Sequence, residues 1–172
     1  MEGVAAVTLD ETDFALLSAV ERDFDVSLET LADELGLSKS AVHYRLSKLK
    51  EKGVISGVTA DIDPHALGLS TVMITEVSVT HERGYADEIG SRLTEIGGVQ
   101  HVYYTMGDVD FIVIARVASR EQMNDLVDDI VAVEGVDETS SHYVMKELPV
   151  AGNRLLNLSE AQADALLSVD ND

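Results

Sequence analysis

Between residues 38 and 52 lie Lys39, Arg45, Lys48, Lys50 and Lys52 against a single acid, Glu51, a local charge of +4. A run of this kind suits one chemistry well. Ammonium and guanidinium groups pair with phosphate oxygens, and a guanidinium also matches the acceptor edge of guanine. Ser38, Ser40, His43 and Tyr44 stand in the same stretch and add hydrogen-bonding groups. The rest of the chain runs the other way. Residues 1–37 hold ten acids and one base, and the remaining 120 positions hold 21 acids and six bases. The 172 residues therefore sum to a formal charge of −20, with a pI near 4.3. Taken whole, such a polyanion repels nucleic acid. Taken by segment, the one basic stretch is where a polyanionic partner would bind. The commonplace meaning of a charge run is a solvated helix face, so its setting has to decide.

The setting is helical. Phe14, Leu17 and Val20 repeat at helical spacing behind the acids of Leu9-Asp10-Glu11-Thr12-Asp13, which suit a helix N-terminus. A second amphipathic stretch follows Ser27, with Leu28, Leu31, Ala32 and Leu35 on one face, and stops at Gly36. A third opens at Ser38, a good N-cap, places Val42, Leu46 and Leu49 on one face and ends near Gly53. Two short helices across a tight Gly turn, with a supporting helix before them, make a helix-turn-helix, whose second helix enters the major groove. Ser40, His43, Tyr44, Arg45 and Lys48 are expected on the outward face of that helix. Ser40, His43, Tyr44 and Arg45 are then candidates for base edges, with Arg45 favoured for a bidentate contact to guanine. Lys39, Lys48, Lys50 and Lys52 are candidates for phosphates. Tyr44 also reads as a half-buried packing residue. Val54 to Ala60 reads as a strand leaving this unit.

Other chemistries find little support. With no Cys there is no disulfide framework, thiolate metal site or Cys nucleophile. Neither a metal-ligand spacing nor a sequence-local acid–base dyad stands out, and no cofactor is expected. No apolar run approaches the eighteen or so residues of a membrane span, and the N-terminus lacks the pattern of a signal peptide. A cytoplasmic protein without a membrane partner is the expectation. The hydrophobic fraction of 45% is ample for a folded core.

Beyond Ala60, Asp61-Ile62-Asp63-Pro64-His65-Ala66-Leu67-Gly68 has turn chemistry. Its proline and Pro149, the only two in the chain, bracket a segment of small-domain size. Within it, a β-branched run from Thr71 to Thr80 is followed by a helical pattern with Tyr85, Ile89, Leu93 and Ile96. Strands follow at Gln100–Met106 and Phe111–Val117, then a helix with Met123, Leu126, Val127 and Ile130, then a strand from Val136 to about Lys146. The order β-α-β-β-α-β predicts a ferredoxin-like, α+β domain: four strands, two helices on one face and the other face open. Val102, Tyr104 and Met106 are expected to offer apolar groups to the open face, and a second copy is its simplest partner. The expected division is a (winged) helix-turn-helix domain at 1–60, a hinge at 61–69, the βαββαβ domain at 70–148 and a tail at 149–172. In that tail Ser159-x-x-Gln162 is a capping box before a short apolar face of Ala163, Leu166 and Leu167. Packing on a neighbouring subunit and fraying are both open to it.

The combination resembles the Lrp/AsnC (feast/famine) family of prokaryotic transcription regulators, over about residues 9–158. The most specific pieces are Gly36-Leu37-Ser38 with Arg45-x-x-x-Leu49-x-x-x-Gly53-x-Ile55, then Gly107-Asp108-x-Asp110-Phe111, then Gly135-Val136 leading to Thr139 and Tyr143-Val144-Met145-Lys146-Glu147. The resemblance implies a regulator of transcription that binds double-stranded DNA, a homodimer that stacks into tetramers or octameric rings, and a free amino acid or similar metabolite bound between dimers. It places the effector near Gly107, Asp108, Asp110, Thr139 and Ser141. A carboxylate there can pair with an α-ammonium, and hydroxyls with Gly N–H groups can hold a carboxylate. As residues alone, Gly-Asp-x-Asp reads equally as a hairpin turn. The last strand departs from the family pattern with Ser140-Ser141-His142 where many members have Thr, so effector identity does not carry over.

A haem-pathway decarboxylase-like enzyme, with the same kinds of domain and with His101 and His142 in a cleft, is the alternative. A basic third helix has no use in it. The acidic remainder of the chain fits a halophilic, archaeal cytoplasm, where screening over about 3 Å at 1 M salt removes most self-repulsion.

Overall fold

A computed structural model describes residues 7–23, 25–80, 85–148, 155 and 157–167. It divides into two compact units, Met1–Ala60 with Leu148–Asp172, and Asp61–Glu147.

In the first unit each of three helices begins on a side-chain oxygen that takes up an otherwise orphaned N–H. Asp10 accepts from Asp13 N at 2.6 Å at the head of α1 (Glu11–Arg22). Ser27 accepts from Thr30 N at 3.0 Å before α2 (Leu28–Leu35), and Ser38 from Ala41 N at 3.2 Å before α3 (Lys39–Glu51). Gly36, at φ 64°, turns α2 off in a left-handed conformation that few residues other than glycine adopt readily, and Leu37 N closes back on Ala32 O at 2.9 Å. Leu9, Leu16, Leu17, Leu31, Ala32, Val42 and Leu49 form the core between the helices. The buried stripe of α1 differs slightly from the expected one. Leu16 and Leu17 are buried, whereas Phe14 and Val20 sit at its half-exposed margins.

The strand expected at Val54 to Ala60 does not form. Val54 N and Ile55 N both donate to Leu49 O, at 2.9 and 3.2 Å, and the two side chains fold back against the helical core. From Ser56 the segment lacks a strand to pair with among the described residues. A strand exists only through its ladder.

The tail belongs to this same unit. Leu155 packs against the helical core and its N–H donates to Glu21 Oε2 at 2.8 Å. A closing helix, α6 (Glu160–Leu167), starts on the capping box: Gln162 N donates to Ser159 Oγ, and Ser159 N to Gln162 Oε1. Pro149 lies outside the described residues.

The second unit is a four-stranded antiparallel sheet in the order β2-β3-β1-β4, formed by β1 (Thr71–Val79), β2 (Val99–Tyr104), β3 (Phe111–Val117) and β4 (Val136–Tyr143). Helices α4 (Tyr85–Thr94) and α5 (Arg120–Val131) connect β1 to β2 and β3 to β4. Alternation along the strands sorts the faces. Met73, Thr75, Val77 and Val79 of β1 and Phe111, Val113, Ala115 and Val117 of β3 are buried, packed with Ile89, Leu93, Met123, Leu126 and Ile130 of the helices. The other face carries Ile74, Ile112 and Ile114 at its centre, flanked by His101, Tyr103, Glu76, Ser140 and His142.

Val102 and Tyr104, expected on that open face, lie on the helix-covered one. The register shifts between Val99 and His101, reversing the alternation of β2. Val102 then packs on the helix-covered core and Tyr104 rests on Phe111 with ring centroids 5.3 Å apart. His101 and Tyr103 take the open face instead, stacked 6.0 Å apart. Met106 lies beyond the strand and is exposed.

Candidate functional site

Because Val42 and Leu49 anchor α3 in the core, the opposite side of the helix is free. His43, Tyr44 and Lys48 are exposed along it, with Ser40 at its N-terminal end and Ser47 half-exposed in the middle. Ser47 is a polar group on this face that the charge pattern gave no reason to single out. Ser38 is committed to the cap, with its Oγ also 3.0 Å from Ser40 Oγ. Two lysines are partly neutralised within the chain: Lys39 Nζ lies 2.9 Å from Glu29, and Lys48 Nζ 2.7 Å from Glu51 and 5.8 Å from the Tyr44 ring centroid. Lys50 and Lys52 are exposed and have no ion-pair partner among the described residues.

Arg45 is not on the free face where the basic run suggested it. Its guanidinium Nη1 donates to Asp10 Oδ2 at 2.7 Å and to Asp13 Oδ1 at 2.6 Å, and its side chain is only 30% exposed. Asp10 is also the N-cap of α1, so one carboxylate both caps that helix and binds α3. Burial works to raise the Asp10 carboxyl, but the bond from Arg45 and the backbone N–H groups of Asp13 and Thr12 hold it below the ordinary value. The two carboxylates push the guanidinium further up. The signal was present in the sequence. Arg45 falls within about 60° of Val42 on the helix wheel, which is the flank of the buried face.

The sheet residues expected around an effector fall in the β2–β3 turn and on β4. Gly107 and Asp108 are exposed in the turn between β2 and β3. Asp110, two residues on, is turned inward to β1: Val79 N donates to its Oδ2 at 2.9 Å, and its own N–H donates to Val77 O at 3.0 Å. Its carbonyl accepts from Thr105 N at 2.8 Å, which closes the turn. Thr139 sits on β4 opposite Val77, and Ser141 opposite Thr75, whose buried hydroxyl is 2.9 Å from Ser141 Oγ. The structure thus sets the Asp110 turn and the β4 residues Thr139 and Ser141 at the two flanks of β1. Beside the turn, Tyr85 and Tyr104 share a hydrogen bond at 2.8 Å. This bond is the main reason the Tyr85 phenol is pushed up to about 12, with Asp110 adding to the effect.

The order of these parts is matched in known proteins. Residues 9–56 match a winged helix-turn-helix DNA-binding domain, and residues 72–151 match the Lrp/AsnC ligand binding domain. Over 150 residues the chain is 35% identical to the HTH-type transcriptional regulator FL11 of Pyrococcus horikoshii, covering 84% of this chain and 98% of that protein. The chain belongs to the Lrp/AsnC family. Among solved structures, the leucine response regulatory protein of Mycobacterium tuberculosis superposes with a TM-score of 0.72 at 28% identity, covering 86% of this chain and 99% of that one. An L-Met complex of a transcriptional regulator from Neisseria meningitidis has the same fold, with a TM-score of 0.79 at 21% identity over 86% of this chain and 97% of that one.

As a member of the Lrp/AsnC family the chain is a DNA-binding transcription regulator with a ligand-binding domain, and the enzyme alternative falls away. His101 and His142 agree with that outcome. They stand on the two edge strands of the sheet, with β3 and β1 between them. No helix among the described residues is long and apolar enough to cross a membrane.

Proposed function

We propose that this Lrp/AsnC regulator docks the outward face of α3 in the major groove and changes its DNA affinity when an amino acid binds the sheet unit. The observation that carries the reading is the coincidence of the chain's only basic segment with the capped second helix of a helix-turn-helix. Ser40, His43 and Tyr44 supply base-edge contacts. Lys39, Lys48, Lys50 and Lys52 supply phosphate contacts, and Ser38 keeps the helix end in place. Arg45 supports the helix from behind.

The effector is a free amino acid, a class that a related regulator holds as L-Met. Asp108 offers a solvated carboxylate for an α-ammonium, and Gly107, Thr139 and Ser141 offer N–H and hydroxyl donors for a carboxylate. Asp110 shapes the turn. The open sheet face, with three isoleucines at its centre, is covered by the same face of a second copy to give a dimer, and dimers stack further. Residues 61–69 serve as the hinge, and the protein works in a salt-rich cytoplasm.

The test is a binding selection from a random duplex pool, followed by titration of the selected duplex with and without each of the common amino acids. The reading requires sequence-selective binding that at least one amino acid shifts, and a dimer or larger species in sedimentation. Equal binding to selected and random duplexes, or indifference to every amino acid, refutes it.

A further inference from the structure

Arg45 ties α3 to the head of α1. Its Nη1 bridges two carboxylates of the α1 N-terminus, at 2.7 Å to Asp10 and 2.6 Å to Asp13. Asp13 is the better shielded of the two, 17% exposed against 53% for Asp10. Apolar contacts at Val42 and Leu49, with half-buried Leu46 between them, fix how closely α3 packs, but such contacts are non-directional and leave play in the roll of the helix about the line through Val42 and Leu49. A charged, directional bond set off to one side of that line removes the roll. Arg45 lies there, one turn from each anchor, and its partners sit on the capped end of a different helix. The pair is therefore placed to fix which side chains of α3 face outward.

We propose that Arg45 is a positioning residue for DNA recognition: by clamping α3 to Asp10 and Asp13 it sets the roll of the recognition helix, and it does not itself read a base. The inference rests on α3 being the reading helix. A substitution at either end of the clamp then changes how Ser40, His43, Tyr44 and Ser47 meet the groove, while the identity of those groups is untouched.

The two roles predict opposite signs for the carboxylates. Asp10→Asn with Asp13→Asn removes two negative charges from the neighbourhood of DNA. Asn is as good an N-cap as Asp, so α1 keeps its start. If Arg45 reads guanine, freeing it and deleting the repulsion strengthens binding. If Arg45 is a clamp, the same double variant weakens it.

The experiment measures affinity for a duplex selected from a random pool by the wild-type protein, with each variant shown by circular dichroism to be folded at the assay temperature. The clamp predicts that Arg45→Ala and Asp10→Asn/Asp13→Asn each weaken binding by on the order of tenfold, and that combining them costs little more than either alone. Arg45→Lys, which retains one charged bond, recovers part of the loss. A repeated selection with Arg45→Ala shows preferences blunted across all the positions that Ser40, His43, Tyr44 and Ser47 read, and the Asp double variant shows the same blunting. Three results overturn the proposal: tighter or unchanged binding by the Asp double variant, loss of preference confined to a single base position in Arg45→Ala, or loss of melting temperature with affinity intact. Lys48→Ala/Lys50→Ala is the control for the reading helix. Full affinity in that variant shows that α3 is not the interface, and separates failure of the parent reading from failure of the clamp.

Discussion

Replacing Lys50 by Ala tests how a single basic helix can serve a chain of charge −20. Lys39 and Lys48 each have a carboxylate of this chain within 3 Å, Glu29 at 2.9 Å and Glu51 at 2.7 Å, whereas Lys50 is exposed with no ion-pair partner among the described residues. A lysine that meets a phosphate with its full charge releases condensed counterions, and each such contact adds about 0.9 to the slope of log K against log salt. A lysine that brings a carboxylate with it releases fewer, because part of the local anionic charge is replaced. Lys50→Ala should therefore flatten the slope by about 0.9 per DNA-bound subunit. Between about 0.2 M and 1 M salt that amounts to a loss of roughly fourfold from the salt-induced drop in affinity. Lys48→Ala should flatten it by clearly less, and Glu51→Gln, which leaves Lys48 unpaired, should steepen it.

Fluorescence anisotropy with a labelled duplex across a salt series gives the slopes directly. Sites this exposed change the fold little, so slope and intercept can be compared without a folding correction. Equal changes for Lys48 and Lys50 would show that the intramolecular pairs dissolve on DNA and that the carboxylates do not tune the contact. No change for either would move the interface off this helix.

Three further outcomes follow from single contacts. Gly98 and Gly135 both have φ values rare for other residues, 89° and 98°, but a Cβ at Gly98 would lie 2.9 Å from the Arg116 carbonyl oxygen, while one at Gly135 would meet only the Ile89 side-chain tip at 2.8 Å. Gly98→Ala should cost about 3 kcal/mol in denaturant unfolding and Gly135→Ala about 1–2 kcal/mol, and a reversed order would contradict the packing described. Asp10 lies below its ordinary value in the folded protein, so it contributes stability above the unfolded carboxylate value that is lost as pH falls through the folded one. The acid limb of the wild-type melting curve should thus be steeper than that of Asp10→Asn, and parallel limbs would remove the linkage. Ultraviolet titration of the tyrosines should show Tyr85 deprotonating near 12, and Tyr104→Phe should bring it back toward the ordinary range, since the shared hydrogen bond is the main cause.

The helices were legible because their signals are local. Asp10, Ser27 and Ser38 are caps by chemistry, and Gly36 ends α2 by conformation. The βαββαβ order was legible for a related reason: β1 and β3 are long, β-branched and half buried, so period and composition agree. What was not legible depends on partners distant in sequence. Val54 to Ala60 has the composition of a strand, yet a strand is defined by hydrogen bonds to another segment, and the backbone of Val54 and Ile55 is already used to close α3. The face of β2 was misread because one register shift after Val99 exchanges inside and outside for every later residue, and no residue in β2 marks its place. Leu155 docks on α1 across 134 positions of sequence, beyond the reach of any local pattern.

The basic run shows the same limit at the candidate site. Counting charges along the chain treats Arg45 and Lys50 alike, because both are cations in a +4 segment. In space they differ completely. Arg45 is paired with the α1 carboxylates, whereas Lys50 is exposed with no ion-pair partner among the described residues. The acids of residues 1–37 are therefore not a uniform background that the basic helix has to overcome. Asp10 and Asp13 bind the one basic residue best suited to a fixed guanidinium contact, and Glu29 holds Lys39 from the neighbouring helix. On the proposed reading, the cations left over put the strongest phosphate contacts toward the C-terminal end of α3, where Lys50 and Lys52 stand beside the partly paired Lys48, and leave the N-terminal half to the base-edge candidates Ser40, His43 and Tyr44.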